Sequence, residues 1–133
     1  MKKYKLFVIE DNRTEGLLLQ LALSGIEDLE VRNFDLGNKL LEALPEKPDI
    51  VIADLNLPDI NGLDLIRKIR AFDENIRIVV VSAQRDMDVL AEAQAEGVYN
   101  YLMKSEACLT YLNRVIKELL IVLKYHAFEE NQT

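Results

Sequence analysis

The sequence predicts a doubly wound α/β domain, a parallel sheet covered on both faces by helices. Two observations carry that prediction. Three short runs, Leu6-Phe7-Val8-Ile9, Ile50-Val51-Ile52-Ala53 and Ile78-Val79-Val80-Val81, are apolar at every position rather than at alternate ones, as strands buried on both faces are. Longer amphipathic stretches separate them, and the chain reads as five strand–helix units in succession. Right-handed crossovers then leave few topologies. The length of 133 residues, half of them apolar and 29% charged, suits one globular domain with a full core.

The first strand, residues 6–9, is closed by Glu10, Asp11 and Asn12. A helix follows over 14–23, with Leu17, Leu18, Leu21 and Ala22 at helical spacing as its inner face and Gly25 as its stop. Residues 30–34 read as a weaker, alternating strand, and 38–44 as a short helix shut off by Pro45 and Pro48. The strand 50–53 ends at Asp54. Beyond a loop holding Pro58 and Gly62, the helix 63–70 puts Leu63, Ile66 and Ile69 on one face. The strand 78–81 runs into Ser82. An alanine-rich helix over 87–96 is stopped by Gly97, and the last strand, 100–103, ends at Lys104.

The longest helix starts at Glu106 and reaches about Tyr125. In it Leu109, Leu112, Ile116, Leu119 and Leu123 step by three and four, a heptad-like seam. Cys108, Tyr111, Val115 and Val122 flank that seam, more apolar positions than one stripe on a sheet requires. Either the helix has a broad core face, or it pairs with an output segment or with a second copy as a homodimer. Residues 1–126 are read as the domain and 127–133 as a polar C-terminal tail.

Composition excludes several functions. Sixteen Lys and Arg against 23 Asp and Glu give a net charge of −7, which works against direct nucleic-acid binding and against docking on anionic membranes. One cysteine, Cys108, and one histidine, His126, leave no intramolecular disulfide and no His/Cys zinc site. The apolar run from Leu119 is five residues long, far short of the ~20 that span a bilayer. The basic start, Met1 to Lys5, is followed too soon by Glu10 and Asp11 for a signal peptide. A cytoplasmic, reducing location is expected.

In sheets of this kind ligands gather at the carboxyl ends of the strands. There the sequence places Glu10, Asp11, Asp54, Ser82 and Lys104. Carboxylates crowded together repel unless a cation neutralises them, and hard oxygens with room for water suit Mg²⁺. An Asp carboxylate can attack a phosphoryl group to give an acyl phosphate, while a metal and an ammonium offset charge on the transferring oxygens. Plainer roles compete residue by residue. Glu10 and Asp11 would favour the positive end of the next helix, and Ser82 could cap one. Asp54 has no comparable structural role, because an unpaired carboxylate on a buried strand is costly.

The run over 50–62, IVIADLNLPDING, resembles the phosphoacceptor strand and Asp-x-x-Leu-Pro turn of response-regulator receiver domains of two-component signalling. FVIEDN (7–12) is similar to the acidic pair of that family, VSA (81–83) to its hydroxyl–Ala step, and GVYNYLMK (97–104) to its Gly-to-Lys segment. The resemblance covers essentially the whole chain. It implies a flavodoxin-like five-stranded sheet of order 2-1-3-4-5. It also implies roles: Asp54 as phosphoacceptor; Asp11, Glu10, Asp54 and the Asn56 carbonyl around Mg²⁺; Ser82, the Ala83 amide and Lys104 on the phosphoryl group. Tyr101 would be the switch aromatic, moving inward as Ser82 approaches the phosphate and altering the surface around the fourth helix, fifth strand and fifth helix. Asn56 and Gln84 hold the positions that govern access of the hydrolytic water. Ser105 stands where many members have a proline.

The function implied is a phosphorylation-controlled switch. A histidine kinase or phosphotransfer protein would be the donor, and a downstream protein or output domain the receiver of the signal. Such a domain is not an enzyme with an external substrate; it catalyses only its own phosphoryl transfer and dephosphorylation. The alternatives are a phosphorylation-independent pseudo-receiver and a haloacid-dehalogenase-like phosphatase. The latter needs an acid two residues after its nucleophile, where Asn56 stands. Flavin or dinucleotide binding is disfavoured by the acidic, glycine-free loop after the first strand.

Overall fold

The computed structural model describes residues 3–83, 86–105 and 107–132; the readings that fall on Met1, Lys2, Gln84, Glu106 and Thr133 lie outside them. The elements are β1 (Tyr4–Ile9), α1 (Arg13–Leu23), β2 (Leu29–Phe34), α2 (Gly37–Ala43) with a 3-10 turn after it (Leu44–Glu46), β3 (Ile50–Ala53), α3 (Gly62–Phe72), β4 (Arg77–Ser82), α4 (Met87–Ala95), β5 (Asn100–Met103) and α5 (Cys108–Gln132). The five strands form one parallel sheet of order β2-β1-β3-β4-β5.

The unbroken apolar runs are the three central strands, and alternate residues serve opposite cores. Phe7, Ile9, Val51, Ala53, Ile78 and Val80 pack under α2, α3 and α4. Leu6, Val8, Ile50, Ile52, Val79 and Val81 pack under α1 and α5. The edge strands β2 and β5 are only partly buried, which is why their sequences are weaker.

Caps set where the helices begin. Asn12 and Asn61 accept the first free N–H groups of α1 and α3 through their side-chain oxygens. Asp59, in the loop after β3, reaches across to accept the N–H groups of Gly37 at 3.0 Å and Asn38 at 2.9 Å, capping α2. Arg67 and Arg70 tie α3 to the far end of α4. Arg67 bonds the carboxylates of Glu92 and Glu96, and Arg70 donates to the carbonyls of Ile76, Glu96 and Gly97.

Gly62 sits against the backbone of Leu55, the residue after Asp54. A Cβ there would lie 2.5 Å from the Leu55 Cα and 2.6 Å from its carbonyl oxygen. Gly62→Ala is therefore expected to lower stability by about 1–3 kcal/mol, read as a lower urea midpoint at unchanged slope.

One expectation about a helix face needs correction, and one alternative is decided in part. On α1 the core residues are Leu19 and Leu23, whereas Leu17, Leu18 and Leu21 are exposed. Six of the seven residues 17–23 are apolar, Gln20 being the exception, so the helix has no clear polar side and periodicity alone does not fix its phase. On α5, of the seam Leu109, Leu112, Ile116, Leu119 and Leu123, the middle three are fully buried against the sheet of its own chain and the outer two partly buried there. This is the broad core face, one of the two readings that the sequence allows. The helix also continues to Gln132, through the stretch read as a polar tail.

Candidate functional site

Backbone hydrogen bonds carry the sheet pattern one residue past the strands and so align the site. Asp54 N donates to Ile9 O at 3.1 Å, Glu10 N to Phe34 O at 3.1 Å, and Lys104 N to Ser82 O at 2.9 Å. The side chains of Glu10, Asp54 and Lys104 are thereby brought together at the carboxyl edge.

The Lys104 ammonium is the hub. It donates to Glu10 Oε1 at 2.8 Å, to Asp54 Oδ2 at 2.9 Å and to Glu15 Oε2 at 2.5 Å. An ammonium has three N–H donors, so all are engaged. Asp54 Oδ1 accepts the Asn56 N–H at 3.0 Å, which fixes the carboxylate plane. The Glu10 side chain is 2% exposed and that of Asp54 5%.

Burial pushes the Glu10 carboxyl up to about 9, aided by the adjacent Asp54 and Glu15. Burial acts the same way on Asp54, but hydrogen bonds from Glu10, the Asn56 N–H and Lys104 outweigh it and hold Asp54 below the usual range. Glu15 is lowered by its hydrogen bonds with Glu10 and Lys104. Lys104 is raised, because its bonds to the three carboxyls overcome its own burial. At neutral pH the cluster thus holds a protonated Lys104 beside an ionised Asp54, with Glu10 the carboxyl most inclined to keep a proton.

Ser82 is fully buried at the end of β4, and Tyr101 is partly buried beside it. Their hydroxyls are hydrogen-bonded, while burial raises the Tyr101 phenol. Ala83 is exposed next to them. Asp11 and Asn56 are exposed at the mouth, where they line a shallow hollow with Leu57, Pro58 and Asp59. The structure does not bring Asp11 into the group of carboxylates that lie within 4.8 Å of one another; that group is Glu10, Glu15 and Asp54. Glu10 Oε2 is buried with no hydrogen-bond partner. A buried oxygen in that state is costly unless a proton or a cation satisfies it, so a hard divalent ion such as Mg²⁺ fits this donor set.

Glu15 was not among the residues expected here. Its spacing from Asn12 matches a capping box, a reading that directs attention to the helix end. Asn12 does cap the Glu15 N–H, at 3.0 Å. The Glu15 carboxylate goes instead to Lys104.

The sequence profile of the response regulator receiver domain matches residues 6–115. The chain belongs to the response regulator receiver domain family. This receiver is 30% identical over 123 residues to chemotaxis protein CheY1 of Helicobacter pylori, covering 90% of this chain and 95% of that one. It is 24% identical over 107 residues to sporulation initiation phosphotransferase F of Bacillus subtilis, covering 78% and 84%. It is 30% identical over 105 residues to the DNA-binding transcriptional regulator NtrC of Proteus hauseri, covering 78% of this chain but 22% of the regulator. The chain thus spans about a fifth of the length of the NtrC regulators it matches. The CheY-like receiver domain protein of Methanospirillum hungatei superposes with a TM-score of 0.84 at 18% identity, covering 94% of this receiver and 99% of that chain, and so shares the fold. Receiver domains act as signalling switches in two-component systems rather than as enzymes, and they typically bind Mg²⁺. No helix among the described residues is long and apolar enough to cross a membrane.

Proposed function

We propose that this receiver is a phosphorylation-controlled switch whose phosphoacceptor is Asp54. The observation that carries the reading is the buried meeting of Asp54, Glu10 and the Lys104 ammonium at the carboxyl edge of the sheet. An Asp54 carboxylate oxygen would bond to phosphorus as the bond to the donor breaks, the donor being a phosphohistidine nitrogen of a kinase or phosphotransfer protein. Glu10, Asp54, Asp11 and the Asn56 carbonyl are the residues that would hold Mg²⁺, which supplies charge neutralisation for the phosphoryl oxygens. Lys104, the Ser82 hydroxyl and the Ala83 N–H would meet those oxygens from the protein side.

The added anion is the differential interaction that separates the two states of a switch. Ser82 is already paired with Tyr101, so drawing Ser82 to the phosphoryl group would act directly on Tyr101. The surface of α4, β5 and α5 would then change for a downstream protein or output domain. A cytoplasmic location follows from the kinase as donor. The reading is tested by intact mass after incubation with acetyl phosphate and Mg²⁺. One added phosphoryl group, lost in EDTA, is the expected result, and no adduct would overturn it.

The homodimer reading moves to another face of α5. Tyr111, Arg114, Glu118, Ile121, Tyr125 and Phe128 step by three and four along the outside of the helix and are exposed. Parallel pairing of two copies would set Arg114 against Arg114 and Glu118 against Glu118. Antiparallel pairing avoids both clashes and sets Tyr111 against Phe128 and Arg114 against Tyr125. Sedimentation velocity over a concentration series is expected to show a monomer–dimer equilibrium that Ile121→Glu abolishes. A wild-type chain that stays monomeric throughout would remove this pairing.

A further inference from the structure

We infer that Glu15 is a positioning residue that holds Lys104 back from the phosphoryl group and so sets how tightly the site retains it. The inference rests on the reading of Asp54 as phosphoacceptor. All three donors of the Lys104 ammonium are spent on carboxyl groups. Lys104 can therefore meet a phosphoryl oxygen on Asp54 only by giving up a bond it already makes.

The three partners differ in how readily they let go. Glu10 is locked: its side chain is buried and its N–H is bonded into the sheet edge. Asp54 is the acceptor itself. Glu15 stands on the first turn of α1, outside the sheet, with a side chain 42% exposed. Water can take over its carboxylate at little cost, so Glu15 is the contact that exchanges.

Glu15 also pulls in a definite direction. With Lys104 it lines an apolar hollow between α1 and α5, walled by Leu18, Leu19, Cys108 and Leu109. The contact ties the ammonium to α1, whereas Tyr101 packs against the core on the other face of the sheet, under α2, α3 and α4. In addition, Glu15 places a negative charge beside a site that must accept an anion, and like charges disfavour binding. Both effects have the same sign: Glu15 weakens retention of the phosphoryl group, and the receiver relaxes sooner than it would without it.

The test uses the full chain and beryllofluoride as the phosphoryl probe, at saturating Mg²⁺, followed by fluorine NMR of the bound species. Glu15→Gln keeps the shape and removes the charge. It is expected to bind beryllofluoride about fivefold more tightly than the wild type, the scale of one partly exposed ion pair. Mg²⁺ alone, titrated against the same variant, is expected to bind more weakly, because a carboxylate near the cation has gone. Those opposite signs separate positioning from loosening, since a merely structural residue would weaken both. Glu15→Ala is expected to change both affinities in the same directions. Beryllofluoride binding that is unchanged or weaker in Glu15→Gln overturns the inference. A wild-type chain that binds no beryllofluoride and gains no phosphoryl group overturns the reading of Asp54 instead.

Discussion

Asp54→Asn is expected to take up no phosphoryl group under conditions expected to phosphorylate the wild-type chain. The amide is close to the carboxylate in size, and its oxygen can still accept the Asn56 N–H that now reaches Asp54 Oδ1 at 3.0 Å, so the fold is expected to persist. What would disappear is the proposed nucleophile. The neighbouring Glu10, the Asn56 N–H and the Lys104 ammonium hold the Asp54 carboxyl below the usual range in spite of its burial, and a neutral amide oxygen is a far weaker nucleophile toward phosphorus than a carboxylate. Intact mass after acetyl phosphate and Mg²⁺ reads the result directly. An adduct that survives in the variant would place the acceptor elsewhere, with Glu10 and Glu15 the first residues to examine by peptide mapping.

Lys104→Met produces the second large effect, on stability and on its dependence on pH. Removing one partner of a buried ion pair costs about 3–5 kcal/mol. Lys104 is 22% exposed and Glu15 faces water, so the expected loss at pH 8 is nearer about 2–3 kcal/mol. The pH dependence distinguishes this cause from lost packing. Lys104 has a raised pKa in the folded chain. Its contribution is therefore present in full below the unfolded value of about 10.4 and is lost only as pH rises through the folded one. The wild type consequently shows no Lys104-dependent slope between pH 5 and 8. In the variant, the carboxyls left without their ammonium take up protons as pH falls, and the deficit shrinks toward pH 5. Mg²⁺ should also raise the melting temperature of the variant more than that of the wild type, because the ammonium occupies the ground between the carboxylates. A deficit equal at both pH values and indifferent to Mg²⁺ would show that only the packing of the side-chain stem was lost.

The site was legible in the sequence wherever a strand ends. Glu10, Asp54, Ser82 and Lys104 each follow a fully apolar or half-apolar run, and a parallel sheet places such positions side by side whatever the helices do. Glu15 was not legible, because its part depends on how α1 is rotated about its axis. That rotation is the one feature of α1 the sequence obscures: with leucines at 17, 18, 19, 21 and 23, no face is distinctly polar. On α3 the apolar residues Leu63, Ile66 and Ile69 are interleaved with the charged Asp64, Arg67, Lys68 and Arg70, and there the core face was readable and is buried. The seam of α5 was visible as a seam. Whether it meets its own sheet or another chain is decided by tertiary packing, and here the sheet covers it.

The grip of Arg67 and Arg70 gives α4 the mechanics of a beam clamped at one end. The clamp lies at its C-terminal turn, where Glu92, Glu96 and Gly97 are held to α3. The opposite end begins at Asp86, whose side chain caps the helix, and at the exposed Met87. Under the proposed switch, a displacement that starts at β4 and passes into α4 would end against this root, which would preserve the alignment of β5 with the rest of the sheet.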